Sequence, residues 1–186
     1  MSDEINFIVR FVLFAAVHSL FATDWAKKIL HGAGRRGYRL CYNIASLLMF
    51  GWVMSVYRHS EVLYFVPGIW SLVMYLLQLV VLVILVSCLR QTGIGNFSGF
   101  AKPASVPFTN TGWYSIVRHP LYFFSIFFMA LNPVMTAQWL MLTIMSTAYF
   151  IIGGLIEERR LVIDFGEAYR HYQQRVPFII PRKDTK

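Results

Sequence analysis

Charged side chains are scarce in this 186-residue chain. Asp, Glu, Lys and Arg together make up 14% of it, whereas a soluble domain carries about 25%. Hydrophobic residues reach 57% and aromatic residues 17%. The shortage of charge excludes intrinsic disorder and argues strongly against a water-soluble globule. The composition predicts an integral membrane protein.

Cysteine and acidic residues are also few. Cys41 and Cys88 form no CxxC pair and have no histidines at ligand spacing, which excludes a disulfide-stapled module, and no metal is expected. The net charge of +8 would suggest nucleic acid in a soluble protein. Basic residues that flank membrane spans explain it better, so membrane lipids are the expected partners and no nucleic acid is expected.

Long apolar runs predict an all-α integral membrane protein with five transmembrane helices in a single domain, 1–186. Residues 1–90 hold three spans, and residues 91–186 hold a polar loop, a helical hairpin and a tail. Asn132-Pro133 marks the turn of the hairpin. The predicted spans are Ile5 to Thr23, Leu40 to Tyr57, a stretch within Val62 to Leu89 that begins near Ile69, His119 to Thr136, and Ala137 to Ile156.

Basic residues orient these spans. They concentrate in the first loop, in the loop 90–118 and in the tail, while Arg58 stands alone in the loop between. The positive-inside rule then places the loop 90–118 and the C-terminus in the cytoplasm and the N-terminus outside. An odd number of spans agrees with this. The expected location is a bacterial inner membrane.

Two polar regions share the predicted cytoplasmic side. The loop 91–118 contains the pair Gly93 and Gly95, which lets a backbone approach a ligand but equally suits a flexible connector. In the tail, one helical stripe predicts an amphipathic helix along the membrane boundary, ended by Pro177 and Pro181. A plain interfacial anchor is the alternative interpretation. The stripe consists of Leu161, Phe165, Tyr169 and Tyr172.

The hairpin brings two polar sequences to one membrane edge. Arg118-His119-Pro120-Leu121-Tyr122 opens the fourth predicted span, and Glu157-Glu158 closes the fifth. Ionisable groups near a bilayer are costly and are usually functional. We therefore expect a site where these two sequences meet.

These sequences belong to a set of motifs covering about Gly112 to Pro181. The run Tyr114–Tyr122 reads YSIVRHPLY, and Glu157–Val162 reads EERRLV. Phe165-Gly166-x-x-Tyr169-x-x-Tyr172 and Val176-Pro177 follow. As a set, they resemble the isoprenylcysteine carboxyl methyltransferase superfamily of membrane methyltransferases. The bacterial methanethiol S-methyltransferase group is the most similar, and it shares Pro133-x-Met135-Thr136 and a His18-Ser19 pair.

The resemblance implies that the cytoplasmic face binds S-adenosylmethionine. The run His119-Pro120-Leu121-Tyr122, together with Tyr114 and Glu157, matches cofactor-binding positions of the family. The segment Val106 to Thr109 occupies the place of another cofactor contact. No catalytic residue is assigned, because His119 suits a hydrogen bond to the donor better than the deprotonation of an acceptor. The candidate cofactor-binding residues are Phe108, Thr109, Tyr114, Arg118, His119, Pro120, Leu121, Tyr122, Glu157 and Glu158.

The expected activity is methyl transfer to a small thiol or a lipophilic acceptor. Carboxyl methyltransferases of this superfamily carry an arginine four residues before the cofactor glutamate, where this chain has Gly153. That departure speaks against a prenylcysteine carboxylate as the acceptor. The alternatives are a prenylcysteine carboxyl or phospholipid amine methyltransferase, and a membrane scaffold without catalysis.

Overall fold

The computed structural model describes residues 3–29, 34–56, 60–93 and 108–182. Seven helices, two short strands and one 3₁₀ turn are found in these ranges. In chain order they are α1 (Asp3–Ala22), α2 (Asp24–Ile29), α3 (Gly34–Met54), β1 (Val62–Phe65), α4 (Ile69–Thr92), the 3₁₀ turn (Gly112–Ser115), α5 (Pro120–Ala130), β2 (Val134–Thr136), α6 (Ala137–Phe165) and α7 (Glu167–Arg175).

Three of these helices, α1, α4 and α6, are long and apolar enough to cross a membrane. They coincide with the first, third and fifth predicted spans. The α4 helix begins at Ile69, as the Pro67-Gly68 pair predicted. The α3 helix covers most of the second predicted span, but it begins at Gly34 and so includes basic residues that had been placed in a loop.

The fourth predicted span, His119 to Thr136, is shorter in the structure. The α5 helix has 11 residues, or about 16 Å at 1.5 Å per residue, against about 30 Å for the hydrocarbon core of a bilayer. The predicted helical hairpin at Asn132-Pro133 is instead a turn into β2. This strand pairs antiparallel with β1, and Val66 N–H donates to the Pro133 carbonyl at 2.9 Å. The purely α-helical prediction therefore missed a two-stranded ribbon.

The chain divides into two compact units. The first contains α1, α2 and α3, with α1 packed along α3. The second contains β1, α4, the 3₁₀ turn, α5, β2, α6 and α7, in which α5 packs against both α4 and α6. All the candidate site residues lie in the second unit.

In the first unit, a polar network joins α1 to α3. Tyr42 OH lies 2.7 Å from His18 Nε2, and Ser46 Oγ lies 2.9 Å from His18 Nδ1. Ser46 Oγ also donates to the Tyr42 carbonyl at 2.7 Å. Because both ring nitrogens of His18 are engaged within the helix pair, this histidine fixes the pairing of α1 with α3.

Tyr42→Phe should weaken this helix pair. It removes one hydroxyl and leaves His18 Nε2 without that partner, which in membrane helices costs about 0.5–1.7 kcal/mol. Tyr75→Phe is the control, because Tyr75 is 51% exposed on α4. Unfolding in mixed micelles measures the difference, and equal stability of the two variants would contradict the network's role.

In the second unit, α6 continues well past the predicted end of the fifth span. Glu157 and Glu158 therefore lie inside the helix instead of closing it. The tail stripe does not lie on one continuous helix, because Gly166 adopts φ 55° and separates α6 from α7. Tyr169 and Tyr172 are buried, so the stripe packs into the protein and is not a plain interfacial anchor.

Candidate functional site

Arg118 and His119 form the corner that opens α5. Their backbone N–H groups bond the tail, which comprises α7 and the segment that follows it. Arg118 N–H donates to the Pro177 carbonyl at 2.9 Å, and His119 N–H donates to the Phe178 carbonyl at 3.1 Å. Pro120 occupies the first turn of α5, where its missing N–H leaves no bond unmade. The corner and the tail therefore lie on the same side of the unit, as the sequence predicted.

Arg118 anchors this arrangement through a forked ion pair. Its Nε donates to Glu158 Oε1 at 2.5 Å and its Nη2 to Glu158 Oε2 at 3.0 Å. Its Nη1 donates to the carbonyls of Gln173 and Val176 at 2.9 and 2.6 Å. The two side chains are only 11% and 9% exposed. Arg118 thus binds α6 and the tail together and is saturated by the protein itself.

Glu158 is equally occupied. Besides the Arg118 fork, its Oε2 accepts from Gln173 Nε2 at 2.9 Å, and its Oε1 lies 3.3 Å from His119 Nε2. Four donors on one carboxylate leave little capacity for a ligand. Glu158 therefore positions its neighbours, and the side chains of Arg118 and Glu158 are engaged within the protein.

Glu157, one residue earlier, is the exposed member of the pair. Its side chain is 43% exposed, and its Oε2 accepts from Tyr122 OH at 3.0 Å. His119 Nδ1 stands 3.8 Å from the same oxygen. Among the described residues, no arginine or lysine pairs with Glu157. This carboxylate is therefore placed to attract a cation from outside the protein.

A column of stacked rings supports the exposed carboxylate. His119 lies parallel to Tyr122, with centroids 5.2 Å apart, and Tyr122 lies parallel to Phe150 at 5.2 Å. Phe178 meets the His119 ring edge-on at 4.9 Å. The column fixes the direction of both the imidazole and the phenol beside Glu157.

A second aromatic group joins the loop end to α6 and α7. Phe108 contacts the rings of Phe165, Tyr169 and Tyr172 at 5.1 to 5.5 Å. Tyr172 OH donates to the Tyr114 carbonyl at 2.5 Å. Burial raises the pKa of Tyr172 to about 12 and also raises the pKa of Tyr114. Tyr172 therefore remains a hydrogen-bond donor throughout the neutral range.

The structure brings most of the candidate residues together. Arg118, His119, Tyr122, Glu157 and Glu158 form one connected cluster, and Tyr114, Pro120 and Phe108 lie in its supporting layers. Thr109 and Leu121 are half-buried, and no described polar bond joins their side chains to the cluster. Val106, Pro107 and Gly95 lie outside the described residues.

Sequence reasoning missed two contributors, Gln173 and Phe178. Gln173 bonds Glu158, and Phe178 packs on His119. The helical spacing from Tyr169 would have placed Gln173 beside the buried stripe, but a single glutamine among charged neighbours gives no signal of its own. Phe178 follows Pro177, where the chain has no periodic pattern to read.

Gly154 lets α6 approach Phe178 and His119 closely. A Cβ there would stand 3.0 Å from Phe178 Cζ and 3.5 Å from His119 Cε1, whereas one on neighbouring Gly153 would meet nothing within 4 Å. Alanine at Gly153 should stabilise the helix by about 0.5–1 kcal/mol. At Gly154 the same helix gain should be offset by displacement of Phe178.

The pair Gly153→Ala and Gly154→Ala therefore isolates the steric effect, because the two changes are chemically identical. Thermal unfolding should rank Gly153→Ala above Gly154→Ala. Equal or reversed stabilities would show that Phe178 and His119 do not pack on α6 as described.

A shallow groove of about 360 Å³ runs along a different face of α6. Glu158 contributes to both the groove and the cluster around His119. Leu155 and Val162 give the groove apolar walls, and Arg159 brings a cation to it. The groove is lined by Leu155, Glu158, Arg159, Val162 and Gln173.

Fold and site together define a helical membrane protein with a buried ion pair and an exposed carboxylate near the end of a long helix. The family model described as NnrU protein matches residues 6–131, more than half of the chain. The chain belongs to the NnrU protein family. The matched region includes the Arg118-His119 corner but stops before Glu157.

Several curated relatives of this chain are named methanethiol S-methyltransferases. A methanethiol S-methyltransferase of Pseudomonas sp. (strain GM41(2012)) is 45% identical over 84 residues, which is 45% of this chain and 31% of that protein. Methanethiol S-methyltransferase 2 of Bradyrhizobium diazoefficiens is 41% identical over 69 residues, 37% of this chain and 27% of that protein. A methanethiol S-methyltransferase of Mycobacterium tuberculosis is 36% identical over 81 residues, 40% of this chain and 33% of that protein.

The chain thus spans about a third of the length of the curated relatives it matches. The predicted resemblance to the isoprenylcysteine carboxyl methyltransferase-like membrane family is confirmed by these relatives. No solved structure matches the chain.

Proposed function

We propose that this protein is an S-adenosylmethionine-dependent membrane methyltransferase that acts on a small thiol or a lipophilic acceptor. One observation carries the proposal: the half-exposed Glu157 carboxylate has no arginine or lysine partner among the described residues and stands beside the stacked rings of His119 and Tyr122. The relatives named methanethiol S-methyltransferase support the same chemistry.

The residues around Glu157 fit a cationic donor. S-Adenosylmethionine, when bound, supplies an electrophilic methyl group on a positively charged sulfonium. A carboxylate at a partly desolvated edge attracts positive charge more strongly than one in open water. The Tyr122 ring next to it can add a cation–π contact. Glu157 and Tyr122 would hold the donor, with His119 at their border.

The other residues of the cluster hold Tyr122 and Glu157 in position. The Arg118–Glu158 fork fixes the start of α5 against α6, and this sets the distance between Tyr122 and Glu157. Tyr172 fixes Tyr114 through its carbonyl. Fixed positions of this kind supply catalysis by holding reactants in line, which suits a displacement that needs little covalent help from the protein.

For the acceptor, one feature speaks against a prenylcysteine carboxylate. Gly153 provides no cation for a carboxylate, and nothing lies within 4 Å of where its Cβ would be. The groove beside Glu158 has apolar walls formed by Leu155 and Val162. Apolar walls suit a lipophilic molecule that arrives from the bilayer.

The proposed topology places the cluster and the C-terminus on the cytoplasmic side of a bacterial inner membrane. Three long apolar helices support a membrane location. Basic residues flank the corner and the tail, as the positive-inside rule requires of a cytoplasmic face.

Methyl transfer from labelled S-adenosylmethionine tests the proposal. The purified full chain in lipid vesicles is offered three acceptors separately: methanethiol, a prenylcysteine and a phospholipid amine. We expect label in the thioether product of the thiol. Label in the prenylcysteine ester or the methylated amine would reassign the acceptor, and the absence of label in all three would favour a scaffold without catalysis.

A further inference from the structure

The two ring nitrogens of His119 face two different carboxylates. Nε2 lies 3.3 Å from Glu158 Oε1. Because Glu158 is held by the Arg118 fork, it is ionised and only accepts hydrogen bonds. Nε2 therefore carries a hydrogen, and in the neutral imidazole the lone pair lies on Nδ1.

Nδ1 has no hydrogen-bond partner among the described residues. Glu157 Oε2 stands 3.8 Å away, beyond hydrogen-bond distance. In the part of the chain that the structure describes, every buried side-chain nitrogen or oxygen has a partner. Nδ1 therefore retains some contact with solvent, although His119 as a whole is only 6% exposed. A lone pair beside a carboxylate is well placed to receive a proton.

The imidazole cannot turn away from this direction. It is stacked on Tyr122 and met edge-on by Phe178, and its Nε2 is tied to Glu158. The titratable and charged groups around the ring are Glu157 and Glu158 on α6, Tyr122 on α5 and Arg118 at the corner.

We propose that His119 is the catalytic base of the transfer and accepts the acceptor's thiol proton on Nδ1. This inference rests on the proposed function. The thiol S–H bond breaks and its proton moves to Nδ1, while the thiol sulfur forms the new S–C bond to the methyl carbon. The C–S bond of the donor breaks, and its electron pair remains on the donor sulfur. Glu158 orients the imidazole as a third group orients the base in a catalytic triad.

Nitrogen NMR of histidine-labelled protein tests the tautomer without any turnover. The chain has five histidines, and loss of one signal in His119→Gln assigns this ring. We expect the neutral form to carry hydrogen on Nε2 and a lone pair on Nδ1. Hydrogen on Nδ1 in the neutral form would overturn the inference, because that nitrogen could not then act as a base.

The pH dependence of the wild-type protein tests the role in turnover. We use two thiols whose own pKa values differ by several units. With His119 as base, the rising limb of kcat/KM falls at the same pH for both thiols. If each limb instead tracks the pKa of its thiol, the acceptor reacts as preformed thiolate and His119 is not the base.

His119→Gln should lower kcat/KM for one of the two thiols far more than for the other. General-base catalysis contributes about 10²–10⁴-fold, so kcat/KM for the thiol of higher pKa should fall by that factor and far less for the thiol of lower pKa. His171→Gln, at an exposed histidine of α7, is the matched control. An equal loss for both thiols would overturn the inference, and a wild-type protein that binds no donor would overturn the proposed function itself.

Discussion

Arg118→Ala should produce the largest loss of stability of any single change in the cluster. It removes both bonds to Glu158 and the two bonds to the carbonyls of Gln173 and Val176. Glu158 would remain buried without its counter-charge. Breaking one partner of a buried ion pair costs about 3–5 kcal/mol. Because the tail depends on the same side chain, we expect α7 to detach as well.

Arg175→Ala provides the control for this experiment. Arg175 is exposed, and among the described residues its Nε donates only to the His171 carbonyl one turn earlier, at 3.3 Å. Limited proteolysis should cleave Arg118→Ala in the tail and leave Arg175→Ala intact, and thermal unfolding should separate the two variants. Arg118→Lys should fall between them, since an ammonium cannot replace the planar fork. Equal protease resistance of all three proteins would contradict the role of Arg118.

Glu157→Gln should produce the largest loss of donor affinity with little loss of stability. Glu157 is 43% exposed and bonds Tyr122, and a glutamine oxygen can still accept that bond. Only the negative charge is removed. A charge pair at about 4 Å is worth about 4 kcal/mol near a protein surface. Discounted for exposure, the expected loss is about tenfold to hundredfold in Kd.

Glu167→Gln makes the same chemical change outside the cluster. Glu167 is 76% exposed and pairs with Arg170 one turn along α7. The Kd of the Glu167→Gln protein for S-adenosylmethionine should equal that of the wild type. Raising the salt concentration should reduce the difference in Kd between the wild type and Glu157→Gln. Salt screens the Glu157 charge because this side chain is partly in contact with solvent. Equal Kd values for Glu157→Gln and Glu167→Gln would exclude Glu157 from the donor site.

Much of the fold could be read from the sequence because lipid imposes a simple rule. Apolar runs of sufficient length gave α1, α4 and α6, and Pro67-Gly68 located the start of α4. The ribbon of β1 and β2 was missed because a three-residue strand leaves too short a pattern to see. The break at Gly166 was missed because the apolar stripe continues across it, and a positive φ at a glycine is invisible to periodicity.

The site could be predicted as a neighbourhood but not as a division of roles. The corner and the acidic pair were expected to meet, and they do. Which of Glu157 and Glu158 faces outward depends on a turn of about 100° per residue along one helix. It also depends on the Gln173 side chain, which donates to Glu158, and on backbone carbonyls of the tail, which accept from Arg118. Two adjacent identical letters in a sequence cannot carry that information.

Calorimetric titration of the purified full chain with S-adenosylmethionine tests the central claim most directly. We expect saturable binding of about one donor per chain, weakened in Glu157→Gln and retained in Glu167→Gln. A folded wild-type protein that shows no saturable binding, or a Glu157→Gln protein that binds as tightly as the wild type, would contradict the account.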